Sequence, residues 1–284
     1  MRLDGHIHAG ATAPEPARLL AEMRAAGLEG GTIISAPPAW WQEGRLAASP
    51  AADRLAALRA WTAGQPALHP VFWVDPTAAD ASAQVAQAAA DGVAAFKVIC
   101  STHAPDDPRA MPVYRAIAAL DRPILFHSGI LWDGQPSSPF NRPAAFECLL
   151  DVPRLRFALA HISWPWVDEC IAVYGKFLNA TDKRPDAPEM FVDTTPGTPP
   201  IYREEALTKL YTVGYDVAGN VFFGTDCSTA SYGARWSREW QERDEAILRK
   251  IGVDEAGRAA YFGGNLLRWL RGPRRAACPP KAGE

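Results

Sequence analysis

Short apolar runs recur along the chain at nearly even intervals, each followed by a longer segment with helical periodicity. The runs are "RLDGHIH" from position 2, "GTIISAP" from 31, "PVFWVDP" from 70, "AAFKVIC" from 94, "PILFHSG" from 123, "RFALAHIS" from 156, "MFVDTT" from 190 and "VFFGTDC" from 221. They read as eight strands whose starts lie roughly thirty residues apart, the length of a strand plus a returning helix. Near-continuous apolar character is what strands covered on both faces require. Between them, "PEPARLLAEMRAAG" and "DRLAALRAWTAG" place apolar residues at helical spacing and finish on Gly, and "NRPAAFECLL" opens with Asn141 as a cap and a proline in the first turn. Eight such units predict a (β/α)8 TIM barrel. An open doubly wound sheet is the alternative, but it seldom alternates eight times and no G-x-G-x-x-G follows the first strand. No repeat or linker divides the chain, so one domain is expected over residues 1–272, with the Pro- and charge-rich 273–284 as a frayed tail.

Composition narrows the function. Of 284 residues, 48% are hydrophobic and 21% charged, and no apolar run is long enough to span a membrane. A net charge of -3 without a block of Lys or Arg leaves no electrostatic footprint for nucleic acid or anionic lipid. A small-molecule partner is expected, and assembly into a homo-oligomer is left open. The first residues lack a secretory profile, which predicts a cytoplasmic protein. Cys100, Cys148, Cys170, Cys227 and Cys278 are odd in number and scattered, so free thiols rather than disulfides are expected.

In a parallel barrel, chemistry gathers at the C-terminal ends of the strands. His6 and His8 fall there on strand one, His127 on strand five, His161 on strand six and Asp226 on strand eight, so four of the six histidines share one rim. Period-two alternation puts Asp4 on the face of His6 and His8 but deeper, where it is either a carboxylate that orients a ligand imidazole or an ordinary strand residue. His69 lies on the opposite face, and His103 follows strand four within reach of a substrate. Three imidazoles and a carboxylate suit a divalent transition ion such as zinc, with a position left for water. Such an ion lowers the pKa of its water from about 15.7 to near 7, which points to hydrolytic or lyase chemistry. His161 is the candidate acid or base beside it. The rim loops also carry Trp40, Trp41, Arg45, Trp132, Arg142, Trp164, Trp166, Tyr202, Arg203, Tyr232 and Trp236, as pocket residues or as packing between loops. Trp164 and Trp166, just past His161, have the best claim to the pocket.

The segments "DGHIH", "FKVI", "PVYRAIAALDRPILFHSG", "RFALAHISWPWVDE", "FFGTDC" and "YFGGNLLRWL" lie in this order from residue 4 to 270, and the chain thereby resembles the amidohydrolase superfamily. It is similar to the compact amidohydrolase-related branch of metal-dependent hydrolases and decarboxylases. The resemblance implies a single domain without the separate β-sandwich of larger relatives. It also implies His6, His8, His127 and Asp226 as metal ligands, His161 as the catalytic histidine, and Asp226 as the group that exchanges a proton with water. Some relatives bridge two metals with a carbamylated strand-four lysine, the place of Lys97; one metal per chain is expected here, and Lys97 serves equally well as a carboxylate-paired lysine. Asn265 matches a family motif, but capping of the last helix accounts for it. The expected activity is hydrolysis of a lactone, ester or amide-like bond of a small organic acid. The alternatives are non-oxidative decarboxylation of an aromatic or unsaturated acid, and a binding module that keeps the fold without the chemistry.

Overall fold

In the computed structural model, which describes residues 1–10, 12–38 and 49–272, every expected apolar run becomes a parallel strand. The strands are β1 (Leu3–His8), β2 (Gly30–Ile34), β3 (Leu68–Trp73), β4 (Ala95–Val98), β5 (Ile124–Phe126), β6 (Arg156–Leu159), β7 (Glu189–Asp193), β8 (Val221–Phe222) and β9 (Cys227–Ser228). They pair in sequence order, except that β9 lies beside β1. The eighth run is thus split: Val221 and Phe222 pair with β7, and Cys227 and Ser228 with β1. Between the halves, Gly5 N donates to Phe223 O at 2.9 Å and Asp226 N to His6 O at 3.0 Å. The sheet therefore curls into a TIM-barrel-like α/β fold. Trp40, Trp41, Arg45 and the tail 273–284 lie outside the described residues.

The helices are α1 (Pro16–Ala25), α2 (Ala51–Thr62), α3 (Ala81–Ala90), α4 (Ala110–Ala119), α5 (Val167–Lys183), α6 (Pro200–Thr212), α7 (Ala234–Lys250), α8 (Glu255–Ala259) and α9 (Asn265–Arg271). None is long and apolar enough to cross a membrane. The connection from β5 to β6 departs from expectation, since residues 138–141 and 143–151 form 3₁₀ turns rather than an α-helix. Asn141 is not a cap. Its Nδ2 donates to Cys100 O and Ser137 O, at 2.8 and 3.1 Å, and so ties this connection to the end of β4. Asn265 does not cap α9 either; its Nδ2 donates to Ala218 O and Val221 O, both at 2.7 Å, and pins the helix to β8.

Two apolar layers follow from strand alternation. Leu3, Ile34, Val71, Trp73, Ala95, Leu125, Ala158, Phe191 and Phe222 line the concave face, where Leu266, Trp269 and Leu270 of α9 join them. Ile33, Phe72, Phe96, Phe126, Phe157 and Val192 face the helices. Two residues beyond Ala95, Leu125 and Phe191, on the same face, stand Lys97, His127 and Asp193. An apolar floor thus carries a polar rim.

Candidate metal centre

Strand β1 reaches this rim through a bulge. Its register to β2 runs Asp4 to Gly31 and then Ile7 to Ile33, so β1 holds one extra residue. The phase of the side chains changes across it: Leu3 packs in the concave layer but Ile7 in the helix layer. Asp4 is consequently not aimed at the imidazoles. Its buried carboxylate accepts His6 N, Thr225 N, Thr225 Oγ1 and Tyr232 OH, at 3.1, 2.9, 2.6 and 2.8 Å, and joins β1 to the segment that leads into β9. The group that orients His6 is Asp193, whose Oδ2 lies 2.6 Å from His6 Nδ1. Asp193 is not among the residues expected at the site, although alternation along "MFVDTT" from Phe191 puts it on the site face.

With Nδ1 of His6 bound by Asp193, its Nε2 is the free ring nitrogen. It lies 3.2 Å from His8 Nε2 and 3.6 Å from Asp226 Oδ1, and His8 Nε2 lies 3.2 Å from Asp226 Oδ1. Around a tetrahedral ion with bonds of about 2.0–2.1 Å, ligand atoms stand about 3.3 Å apart. The donor set fits such an ion in both spacing and chemistry. Among the described residues no other set of three His, Cys, Asp or Glu side chains is so gathered.

His127 and His161 stand beside this triad. The His161 ring lies 5.5 Å from that of His6 and 4.9 Å from that of His127, between centroids. Nε2 of His127 approaches Ile130 O at 3.3 Å, and His127 is not one of the three gathered ligands. By alternation from Ala158 and Ala160 the His161 side chain would face the helix layer. A left-handed backbone at His161, with φ of 62°, turns it into the site, and Ile162 and Ser163 follow at 45° and 57°. Asp226 also has a positive φ, 61°.

Burial favours the neutral form of His6, His127 and His161, the form that metal binding requires: it pushes His161 down to about 4 and holds His6 below and His127 well below the ordinary histidine range. Burial alone would raise the Asp226 and Asp193 carboxyls. The hydrogen bond with His8 and the neighbouring imidazoles hold Asp226 well below the usual carboxylate range, and attraction to His6 and its hydrogen bond hold Asp193 below it. Lys97 is buried, and burial lowers it to about 8 against the attraction of Asp193 and Asp226; among the described residues it forms no ion pair.

The expected pocket residues are dispersed. Trp132 is 78% exposed. Trp164 stacks on Tyr202 at 6.2 Å, and both line an outer groove with Trp166 and Lys209 near the starts of α5 and α6. Arg142 is exposed, paired with Glu169 and lying over Trp166. Buried Arg203 is bound by Asp244, and Tyr232 by Asp4. Trp236 Nε1 donates to Thr225 O at 3.3 Å. His103 is buried, and among the described residues neither of its ring nitrogens is hydrogen-bonded, in the field of Asp75 and Asp107. His69 lies within β3 and, two residues before Val71, shares the concave face rather than the opposite one expected; burial pushes it to about 4. Trp73, on the concave face, brings its ring within 6.1 Å of that of His8, a neighbour that its place at the end of β3 makes legible.

Residues 3–272 match a family model described as amidohydrolase. No curated protein matches the chain. Among solved structures, a 2,6-dihydroxybenzoate decarboxylase complexed with 2,6-dihydroxybenzoate is similar over 95% of this chain and 98% of its own, at 14% identity and a TM-score of 0.64. An amidohydrolase from Burkholderia multivorans with bound zinc is similar over 96% and 100%, at 15% identity and 0.64. A dihydroorotase from Campylobacter jejuni is similar over 97% and 84%, at 15% identity and 0.58. At these identities the likenesses speak to the fold.

Proposed function

Because the chain belongs to the amidohydrolase family, we propose that it is a metal-dependent hydrolase that uses activated water to cleave a lactone, ester or amide-like bond of a small organic acid. The observation that carries this reading is the gathering of His6 Nε2, His8 Nε2 and Asp226 Oδ1 within 3.6 Å of one another, beside a buried neutral histidine. These three residues would hold one divalent ion, for which zinc suits the N and O donors, and His127 is the candidate for a further ligand. Bound there, the ion would supply Lewis acidity and water with a pKa near 7 rather than about 15.7. Asp226, open to solvent on one side, would accept and return the proton of the attacking water. His161 faces the same space and, being neutral, can donate a hydrogen bond that polarises the substrate carbonyl. Asp193 holds His6 in the tautomer that presents Nε2 to the ion. Residues 221–228 read as one eighth strand, interrupted at 223–226, that closes a (β/α)8 barrel.

Metal content per chain, measured by elemental mass spectrometry on protein purified without chelator, tests the reading alongside a screen of lactones, esters and aromatic acids. One equivalent and net uptake of water by a substrate are expected. Release of carbon dioxide without uptake of water would replace hydrolysis by decarboxylation, the chemistry named for one of the similar structures. Failure to bind metal after supplementation would leave a binding module. His161→Asn should keep the one equivalent and lose turnover, whereas a fall from two equivalents to one would promote Lys97 and His161 to ligands of a second ion.

A further inference from the structure

His6 and His161, whose rings lie 5.5 Å apart, are oriented by different forces. Asp193 holds His6 by a hydrogen bond to Nδ1. His161 Nδ1, although buried, has no hydrogen-bond partner among the described residues. With no hydrogen bond at Nδ1, contact has to hold that side of the ring. The contact is Gly197, in the loop between β7 and α6. A Cβ built on Gly197 would stand 2.7 Å from His161 Cβ, 2.9 Å from Cγ and 3.1 Å from Nδ1. Rotation of the ring would relieve only the last of these, because Cβ and Cγ move little with it. His161 would have to shift with its backbone, which is already left-handed and continues so through Ile162 and Ser163. Thr198 Oγ1 reaches His161 O at 3.4 Å, so the loop touches this residue through its main chain as well.

We propose that Gly197 is a positioning residue for His161: the absence of a side chain there seats the imidazole against the metal-ligand triad. The inference rests on the catalytic reading of His161 for its kinetic consequence, but not for its structural one. In 15N-histidine NMR spectra of the metal-free protein, with the His161 signals identified by their loss in His161→Asn, Gly197→Ala should move the His161 signals and leave those of His69 in place. Zinc content after loading should stay at the wild-type value. With 4-nitrophenyl acetate as the probe ester, Gly197→Ala should lower kcat by about 10²-fold, the scale of a misplacement of about 1 Å, with KM little changed. In the His161→Asn background it should cost nothing further.

An equal kinetic loss in both backgrounds, or unmoved His161 signals, would overturn the proposal. Full turnover by His161→Asn would overturn the catalytic role of that histidine instead, and the NMR result would still decide what Gly197 does. Should Gly197→Ala fold poorly, His161→Gly supplies the control, since it removes every side-chain atom of the clash. The melting temperature lost through Gly197→Ala should then be recovered in the double variant, and no recovery would refute the contact.

Discussion

At the scale of single residues, burial lowers the pKa of His6, His127 and His161, while neighbouring imidazoles and hydrogen bonds hold the Asp193 and Asp226 carboxyls below their usual range. The link between Asp193 and His6 matters most, because a partner on Nδ1 fixes the tautomer and ring orientation that present Nε2 to the site. Asp193→Asn should therefore keep the fold but weaken zinc binding by about 10–100-fold, as competition with a chelator would measure. His6→Ala or Asp226→Ala should abolish metal binding and activity together. That His6, His8, His127, His161 and Asp226 lie at strand ends was legible because four of the six histidines fall there together. Asp193 was not, since a lone Asp at the end of an apolar run looks like any strand terminator until its partner, 187 residues away, is placed against it.

At the scale of elements, polar groups buried between helices and strands set where the rim sits. Arg203 of α6 is fully buried, and its Nε and NH2 donate to Asp244 of α7 at 2.8 and 2.7 Å. Tyr261 donates to the same carboxylate, and its hydroxyl lies 2.6 Å from Thr194 Oγ1, one residue beyond Asp193. Removing one partner of a buried ion pair strands the other charge. Asp244→Ala should cost about 3–5 kcal/mol in urea denaturation. Tyr261→Phe, which loses only a hydroxyl, should cost about 1–3 kcal/mol. The β1 bulge acts at this scale too: alternation alone predicts Asp4 beside the imidazoles, and the extra residue sends it to Thr225 and Tyr232 instead.

For the whole molecule, burial of neutral histidines couples stability to pH. His69 and His161 are pushed to about 4, and His6, His103 and His127 are also lowered by burial. Between about 6.5 and 4 the unfolded chain therefore binds more protons than the native one, and stability falls as the pH falls through that window. Burial raises Asp4 to about 6, which works the other way as the pH passes from 4 to 6, but it is one group against five. Metal-free protein should thus denature at markedly lower urea at pH 5 than at pH 8. His69→Leu, remote from the site, should flatten that dependence by about one proton.

The succession of strands and helices, the parallel pairing and the rim that holds the histidines were determined by the sequence alone, because hydrophobic periodicity is local and residues at strand ends inherit their location from it. Tertiary structure alone decided which polar side chains meet. The pairing of Asp193 with His6, the turning of Asp4 away by a bulge, the inward turn of His161 by left-handed backbone and the seat that Gly197 makes for it all join residues distant in the chain or depend on a departure from regular geometry. Periodicity assumes regular strands, and at this site the strands are irregular.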